Sequence, residues 1–318
     1  MIGEKLLKYW RVFINLLFPK PMLTLSIIIV SYNTKDLLLA CIASLEKEAA
    51  KGLTYEIIVV DNASSDGSVE AVKSEYKSVR VIANKENFGF SKANNQGVLI
   101  SNGRYVLFLN SDTVATIDSI KKMVLFMEEN KDCGAATCKV IMPSGKLDDA
   151  AHRGFPTPWN AFTHFLGLSK IFPRVRLFGG YNLSYLDLEK THEIDALAGA
   201  FMLVRRSAGE EVGWWDEDFF WYGEDIDFCY RLKEKGWKIY FVPQVSILHY
   251  KGVSGGLKKE SKHLTTADNA TKIRATNARF SAMEIFYKKH YAKKYPFFIT
   301  WLVLRGIKAK KRHALLRI

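Results

Sequence analysis

Leu25-Ser-Ile-Ile-Ile-Val30 is an almost unbroken apolar, β-branched run, the pattern of a strand buried on both faces. Ser31-Tyr-Asn-Thr34 ends it. Thr34 then caps a helix reaching about Glu48, with Leu37, Leu38, Cys41, Ile42 and Leu45 on one face. The beat repeats. Glu56–Val60 is a second strand, followed by the polar loop Asp61-Asn-Ala-Ser-Ser-Asp-Gly67 and a helix. Val79–Ala83 is a third, leading through Asn87-Phe-Gly-Phe90 to a helix from Ser91 to about Leu99. Tyr105–Leu109 is a fourth, ended by Asn110-Ser-Asp112 and followed by a helix over roughly 116–129. Four strand–helix alternations with short connections predict an α/β fold with a doubly wound, mostly parallel central sheet. Such sheets bind ligands outside the carboxyl ends of their strands. The polar clusters at 31–33, 61–66 and 110–112 each follow a strand directly, so they should converge on one crevice.

The second half is less regular. In 141–194, Pro143, Pro156, Pro158 and Pro173 punctuate aromatic stretches, which suggests an insertion or lid facing a second substrate. Ile194–Arg205 passes from small residues to a strand-like apolar run. Trp237–Val242 and Val245–His249 read as two further short strands. Between them lies Phe219-Phe-Trp-Tyr-Gly-Glu-Asp-Ile-Asp227, with three carboxylates in four positions after a run of aromatics, and then a helix to about Lys235. Carboxylates beside so much apolar surface are costly to ionise unless a partner or a task keeps them there. The alternative is the acidic first turn of an ordinary helix. No GxGxxG follows the first strand and no GxxxxGK[ST] occurs, which excludes ordinary dinucleotide and P-loop sites.

Charge narrows the partners. The 318 residues carry a net charge of +13, so an anionic partner is expected. No run resembles a nucleic-acid motif, and no nucleic acid is expected. The four cysteines show no metal-like spacing, which fits small core residues in a reducing cytoplasm. Residues 1–22 mix Lys5, Lys8 and Arg11 with apolar residues and lack a cleavage site, the pattern of a basic amphipathic helix lying on a membrane. Near the other end, Pro296–Leu304 is apolar and Arg305, Lys308, Lys310, Lys311 and Arg312 follow. That run is too short to span a bilayer, which takes about 20 residues. An interfacial anchor is expected there, with docking onto the protein's own domain as the alternative. The organisation read is a basic segment over 1–22, a main domain over 23–255 and a helical basic extension over 256–318.

Six stretches, in order over residues 24–255, resemble the family 2 glycosyltransferases of GT-A (Rossmann-like) fold, rhamnosyltransferase-like members in particular. Ser26-Ile-Ile-Ile-Val-Ser-Tyr-Asn33 looks like the family's first strand and nucleotide loop, and Val59-Val-Asp-Asn-Ala-Ser-Ser-Asp-Gly-Ser68 like its VVDNxSxDGS element. Asn87–Gly97 is similar to NxGFxxANNxG. Leu109-Asn-Ser-Asp-Thr113 occupies the DxD-like place, Tyr222-Gly-Glu-Asp-Ile-Asp227 resembles the acceptor-side ED motif, and His249–Ser254 a late His-containing motif.

The resemblance implies an inverting glycosyltransferase that moves a sugar, rhamnose from dTDP-rhamnose or a sugar from a UDP donor, to a polyprenyl-linked or growing surface glycan. The membrane surface would be reached through the termini, at the cytoplasmic face. Ser31, Tyr32 and Asn33 would cradle the donor base, Asp61 would accept from its ring NH, and Asn94, Asn110, Ser111 and Asp112 would complete the nucleotide site. Asn62, Asn94 and Asn95 also fit helix caps or polar liners. A diphosphate leaving group needs its growing charge neutralised, for which Mg²⁺ or Mn²⁺ on Asp112 and His249 would serve. Asn110 stands where the strict motif has its first Asp, which leaves Asp112 as the main carboxylate ligand. Asp225 would be the base that takes the acceptor proton. Glu224 would shape the acceptor pocket, and Asp227 would be structural, pairing with Arg231 one turn on. Trp215, Trp221 and Tyr222 would either stack on sugar faces or form the core beneath the motif. The competing functions are a sugar nucleotidyltransferase and a non-catalytic basic module binding membrane or nucleic acid.

Overall fold

The first strand, β1 (Leu23–Ser31), lies near the middle of a sheet covered by helices on both sides, which is why its apolar run is unbroken. Period-two alternation divides it. Ile27 and Ile29 pack with Leu38, Cys41 and Ile42 of α1 (Lys35–Glu46) and with Ile120 and Met123 of α4 (Ile117–Glu129). Ile28 faces the other layer, with Ala93 and Val98 of α3 (Phe90–Ile100) and Phe228 and Leu232 of α9 (Glu224–Glu234). Gly97 lets α3 lie close: a Cβ there would stand 2.6 Å from Cγ2 of Ile28. The structure is a computed structural model that describes residues 23–46, 52–250 and 268–318. The expectation of an amphipathic helix over 1–22 and the basic stretch 251–262 fall outside these residues.

The sheet order is β3-β2-β1-β4-β8-β6-β9-β5, with β7 (His192–Glu193) also on β9. The strands are β2 (Tyr55–Asp61), β3 (Arg80–Ala83), β4 (Gly103–Asn110), β5 (Thr113–Val114), β6 (Cys133–Ile141), β8 (Phe201–Arg205) and β9 (Lys238–His249). Strands β1 to β4, β6 and β9 point one way, while β5, β7 and β8 oppose them. The mostly parallel sheet expected from the alternation is present. The strand-like run before Arg205 is β8, but its antiparallel place between β4 and β6 was not foreseen, and neither was β6. Cys-Gly-Ala-Ala-Thr-Cys, which opens β6, is too small and mixed to read as a strand. The two short strands expected at 237–249 are one, β9. Its pairing with β6 jumps from Val242 to Ser246 around Pro243, which has no N–H for the ladder.

Chain order reverses at β1: β2 lies on one side of it and β4 on the other, which opens a crevice at their carboxyl ends. Register places Ser31 beside Asp61 and Val30 beside Asn110. The 141–194 region holds a 3₁₀ turn at Asp149–Ala151 and three short helices, α5 (Pro158–Phe165), α6 (Leu168–Ile171) and α7 (Arg176–Gly179). The remaining helices are α2 (Ser68–Glu75) and α8 (Arg206–Val212) within the sheet region, and then α10 (Asn269–His290) and α11 (Phe297–Leu315). Phe286 and Tyr287 of α10, Tyr291 just after it, and Val303 and Leu304 of α11 share an apolar cluster with Phe219 and Tyr230, so the C-terminal helices are packed onto α9. Among the described residues no helix is long and apolar enough to cross a membrane.

Candidate active site

The three strand-end loops are tied together by short side chains. Thr34 Oγ1 hydrogen bonds to Ser31 Oγ at 3.1 Å and to Ser111 Oγ at 3.0 Å. Asn33, with φ of 52°, accepts from Ser65 N at 2.8 Å, so its side chain latches the first loop to the second. Left-handed backbone is tolerable for Asn, whose amide bonds locally. Ser31, Tyr32, Asn62, Asn110, Ser111 and Asp112 line one cavity of about 250 Å³, and Asn33 does not. Asp61, beside Ser31 in the register, is buried and does not line the cavity. Its Oδ1 accepts from Ser64 N at 2.8 Å, while Oδ2 is buried with no protein partner. Burial raises its pKa, against the hydrogen bonds from Ser64 that lower it.

His249 reaches the cavity because β9 pairs with β5: Thr113 stands opposite His249, and Tyr250 N donates to Asp112 O at 2.9 Å. His249 Nε2 is 3.1 Å from Asp112 Oδ1 and 3.4 Å from the Asn110 amide nitrogen. Its Nδ1 stands 3.4 Å from Asp148 Oδ2. Burial opposes the charged imidazole, but Asp112 and then Asp148 outweigh it and push the pKa up to about 9. Asp148 was missed in the sequence. It caps the 3₁₀ turn by accepting from Ala150 N at 2.9 Å and also lines the cavity. Among the described residues no three His, Cys, Asp or Glu side chains converge on one point. The protein thus offers a cation one carboxylate and one imidazole, the latter steadied from behind by Asp148. That donor set fits a divalent ion which takes its remaining ligands from a diphosphate and water.

The acidic stretch enters from the opposite wall. Tyr222 and Gly223, with φ of 71° and 81°, both lie in the left-handed region, which is strained for a tyrosine. This turn starts α9 and presents Trp221, Tyr222, Glu224 and Asp225 to the cavity, the two rings stacked at 5.0 Å. Phe90 N donates to Phe220 O at 2.8 Å, and Gly89 is required beneath it: a Cβ there would lie 2.4 Å from Phe220 O. Asn62 Nδ2 donates to Gly89 O at 3.0 Å, which joins the two walls.

The three carboxylates diverge. Asp225 Oδ2 accepts from Arg153 at 2.5 Å in a mostly buried ion pair. Arg153 is the second residue that sequence reasoning missed. Its pKa rises because Asp225, with smaller help from Tyr181, overcomes the burial that opposes it. Glu224 is buried and its Oε2 has no partner. Burial first, and then the neighbouring Asp225, raise its pKa to about 8. Asp227 is held between Arg231 Nε at 2.7 Å and His290 Nε2 at 2.7 Å, away from the cavity.

Two expectations need correction. Trp215 is only 2% exposed and stacks at 5.0 Å on Phe228, so it belongs to the core beneath the motif and not to the cavity surface. Asn94 is buried on α3 and donates to Phe90 O at 2.9 Å within its own helix, so it does not line the cavity either. Its neighbour Asn95 brackets Trp215, donating to its O at 2.9 Å and accepting from its N at 3.1 Å.

Comparison with known proteins agrees with this architecture. A rhamnosyltransferase of Mycobacterium tuberculosis, N-acetylglucosaminyl-diphospho-decaprenol L-rhamnosyltransferase, is 27% identical over 260 residues, 78% of this chain and 83% of that protein. Rhamnosyltransferase WbbL of Escherichia coli K12 is 28% identical over 233 residues, 70% of this chain and 82% of that protein. The solved mannosyltransferase PcManGT of Pyrobaculum calidifontis, in complex with GDP-Man and Mn²⁺, superposes with a TM-score of 0.54 at 18% identity over 99% of this chain and 80% of that one, which shows a shared fold. The family model for glycosyl transferase family 2 matches residues 26–213, more than half of the chain. The protein therefore belongs to glycosyl transferase family 2 and is a rhamnosyltransferase-like glycosyltransferase of GT-A fold.

Proposed function

We propose that the protein is an inverting glycosyltransferase which moves a hexose, L-rhamnose in the first place, from a nucleoside-diphosphate donor to a lipid-diphosphate-linked saccharide at the cytoplasmic face of the membrane. The observation that carries this is the meeting, in one cavity, of the strand-end loops with Glu224 and Asp225. The sugar and acceptor rest on the two rhamnosyltransferase relatives, one of which acts, by its name, on a diphospho-decaprenol-linked sugar.

On the donor side, Tyr32 walls the base. Asp61 Oδ2, buried and unpartnered, is a spare acceptor for a pyrimidine ring N–H. Asn110 serves the ribose, and Asp112 with His249 would hold Mg²⁺ or Mn²⁺ against the diphosphate. The cation, when bound, would neutralise charge on the leaving diphosphate.

On the acceptor side the two carboxyl groups divide the work. Glu224 keeps its proton near neutral pH and acts as a hydrogen-bond donor to the acceptor sugar. Asp225, aimed by Arg153, takes the proton of the attacking hydroxyl as its oxygen bonds to the anomeric carbon and the diphosphate departs. Trp221 and Tyr222 pack on the acceptor. The test is incubation with a panel of nucleotide sugars and a synthetic polyprenyl-diphosphate-linked N-acetylhexosamine, with NMR of the product. Transfer of rhamnose with inversion is expected. Transfer of another hexose would replace the donor assignment, and absence of any transfer would overturn the reading.

A further inference from the structure

We propose that the outer faces of α5–α7 and α11 together form one docking surface for an anionic bilayer, placed beside the acceptor carboxylates. The proposal takes its purpose from the lipid-linked acceptor, and its physical grounds are separate.

The first ground is exposed apolar area on ordered elements. Phe162, Phe165, Leu166 and Ile171 of the α5–α6 hairpin are 52%, 55%, 58% and 65% exposed. They are displayed by a braced scaffold: Trp159 Nε1 donates to Leu177 O at 2.8 Å, which ties α5 to α7. On α11, Phe297, Phe298, Trp301 and Leu302 are exposed, and none of its 19 residues is buried. A patch of this kind marks an interaction site.

The second ground is continuity. Lys310 Nζ sits 2.9 Å from the centroid of the Phe165 ring, so α11 lies directly against the hairpin. The inner side of α11 rests through Val303 and Leu304 on the cluster around Phe219 and Tyr230, while Phe298 and Trp301, on another face of the helix, stay exposed.

The third ground is charge. Residues 151–186 contain no Asp or Glu, and neither do residues 285–318. Lys170, Arg174 and Arg176 border the hairpin. Arg305, Lys308 and Arg312 continue the stripe begun by Phe298 and Trp301 at helical spacing. An apolar face rimmed only by cations is complementary to anionic lipid, where each Lys or Arg near the surface is worth roughly five-fold in partition. It is poorly suited to a second copy of itself, because like charges would meet across the interface.

Position links the surface to the cavity. Arg153, bonded to Asp225, is six residues before Trp159. Phe155 between them packs on Tyr230 at 5.0 Å, the same ring that Phe286 of α10 contacts at 5.7 Å. A lipid-anchored acceptor would therefore leave the bilayer next to Asp225.

The experiment is co-sedimentation of the full-length protein with mixed phosphatidylglycerol and phosphatidylcholine vesicles, against phosphatidylcholine alone. Two variants are compared with wild type: Phe162→Ser/Leu166→Ser/Ile171→Ser, and Lys308→Glu/Arg312→Glu, which leaves the apolar packing untouched. Each is checked by thermal melting. Wild type should pellet with anionic vesicles and release as salt rises. The triple variant should partition about ten-fold more weakly and the charge-reversal variant about 25-fold or more, with transfer to a short water-soluble acceptor unchanged. Wild type that stays in the supernatant, or a triple variant that partitions like wild type, overturns the surface. So does light scattering that shows a dimer which the triple variant dissociates. Vesicle binding lost in both variants while no sugar transfer is found would leave the surface standing and sink the enzymatic reading alone.

Discussion

The strand-end half of the cavity and the α9 half are held by different forces. In the first, Ser31, Thr34 and Ser111 satisfy one another, Asn33 latches two loops, and short neutral hydrogen bonds fix the geometry. In the second, a tyrosine and a glycine sit in left-handed backbone, Glu224 is buried without a partner, and Asp225 depends on one arginine. The first half resembles a preformed mould for a rigid ligand. Left-handed backbone and an unpartnered buried carboxylate oxygen occur in both, at Asn33 and Asp61 in the first and at Tyr222 and Glu224 in the second; what sets the first apart is the hydroxyl network that ties its loops together. Substitutions should therefore separate the halves: changes near the loops should move donor binding, and changes near α9 should move turnover and stability.

The largest effect is expected at Asp225. Asp225→Asn should lower transfer by about 10²–10⁴-fold, with donor affinity by calorimetry unchanged. Near-normal turnover would move the base elsewhere. Next is Arg153→Met. Removing one partner of a mostly buried ion pair leaves a charge uncompensated and should cost about 3–5 kcal/mol in chemical denaturation. A neutral result would mean that Asp225 finds water or another donor.

At the loops, Asp112→Asn should abolish donor-dependent thermal stabilisation by Mn²⁺ and lower the protein's own melting temperature by a few degrees at neutral pH, because buried His249 loses its nearest counter-charge. Equal stabilisation in the variant would remove Asp112 from the cation site.

Glu224 gives a pH test. Its pKa is raised from 4.5 to about 8 in the folded chain, so its contribution is fully present below about 4.5 and is lost as pH rises through 8. Glu224→Gln, which cannot ionise, should therefore gain in melting temperature relative to wild type from pH 5 to pH 9, on the order of a few degrees. A constant difference across that range would contradict the shift. The smallest effect is expected for Asn94→Ala, which removes a bond inside α3 and should cost about 1 kcal/mol while donor KM stays the same. A large rise in KM would restore Asn94 to the donor site.

Much of the strand-end half was legible because it is local. An apolar β-branched run followed at once by Ser-Tyr-Asn or Asn-Ser-Asp states both the strand and the loop at its carboxyl end, and parallel topology brings such loops together. Asp148 and Arg153 were not legible. They lie in a Pro- and Gly-punctuated stretch without periodicity, and their importance comes from partners about a hundred and 72 positions away. The available signals were an Asp pair after the Gly145 turn and an isolated Arg in an acid-free segment. Trp215 stayed open between two readings because an aromatic beside a polar motif reads alike whether it supports the site from the core or lines it.

The sequence by itself determined the layered sheet, the clustering of polar groups at its strand ends and the presence of an acidic stretch after the aromatics. The resemblance already divided the three carboxylates, and Arg231 was legible as the partner of Asp227, but the surroundings of each acid were set only by tertiary structure. Asp227 turns to Arg231 and His290, Asp225 to Arg153 and the cavity, and Glu224 to a buried position with an unpartnered oxygen. Three acids in four positions have nearly the same local chemistry. The cost of burying each charge, and the partner that offsets it, are set by residues the fold brings from elsewhere.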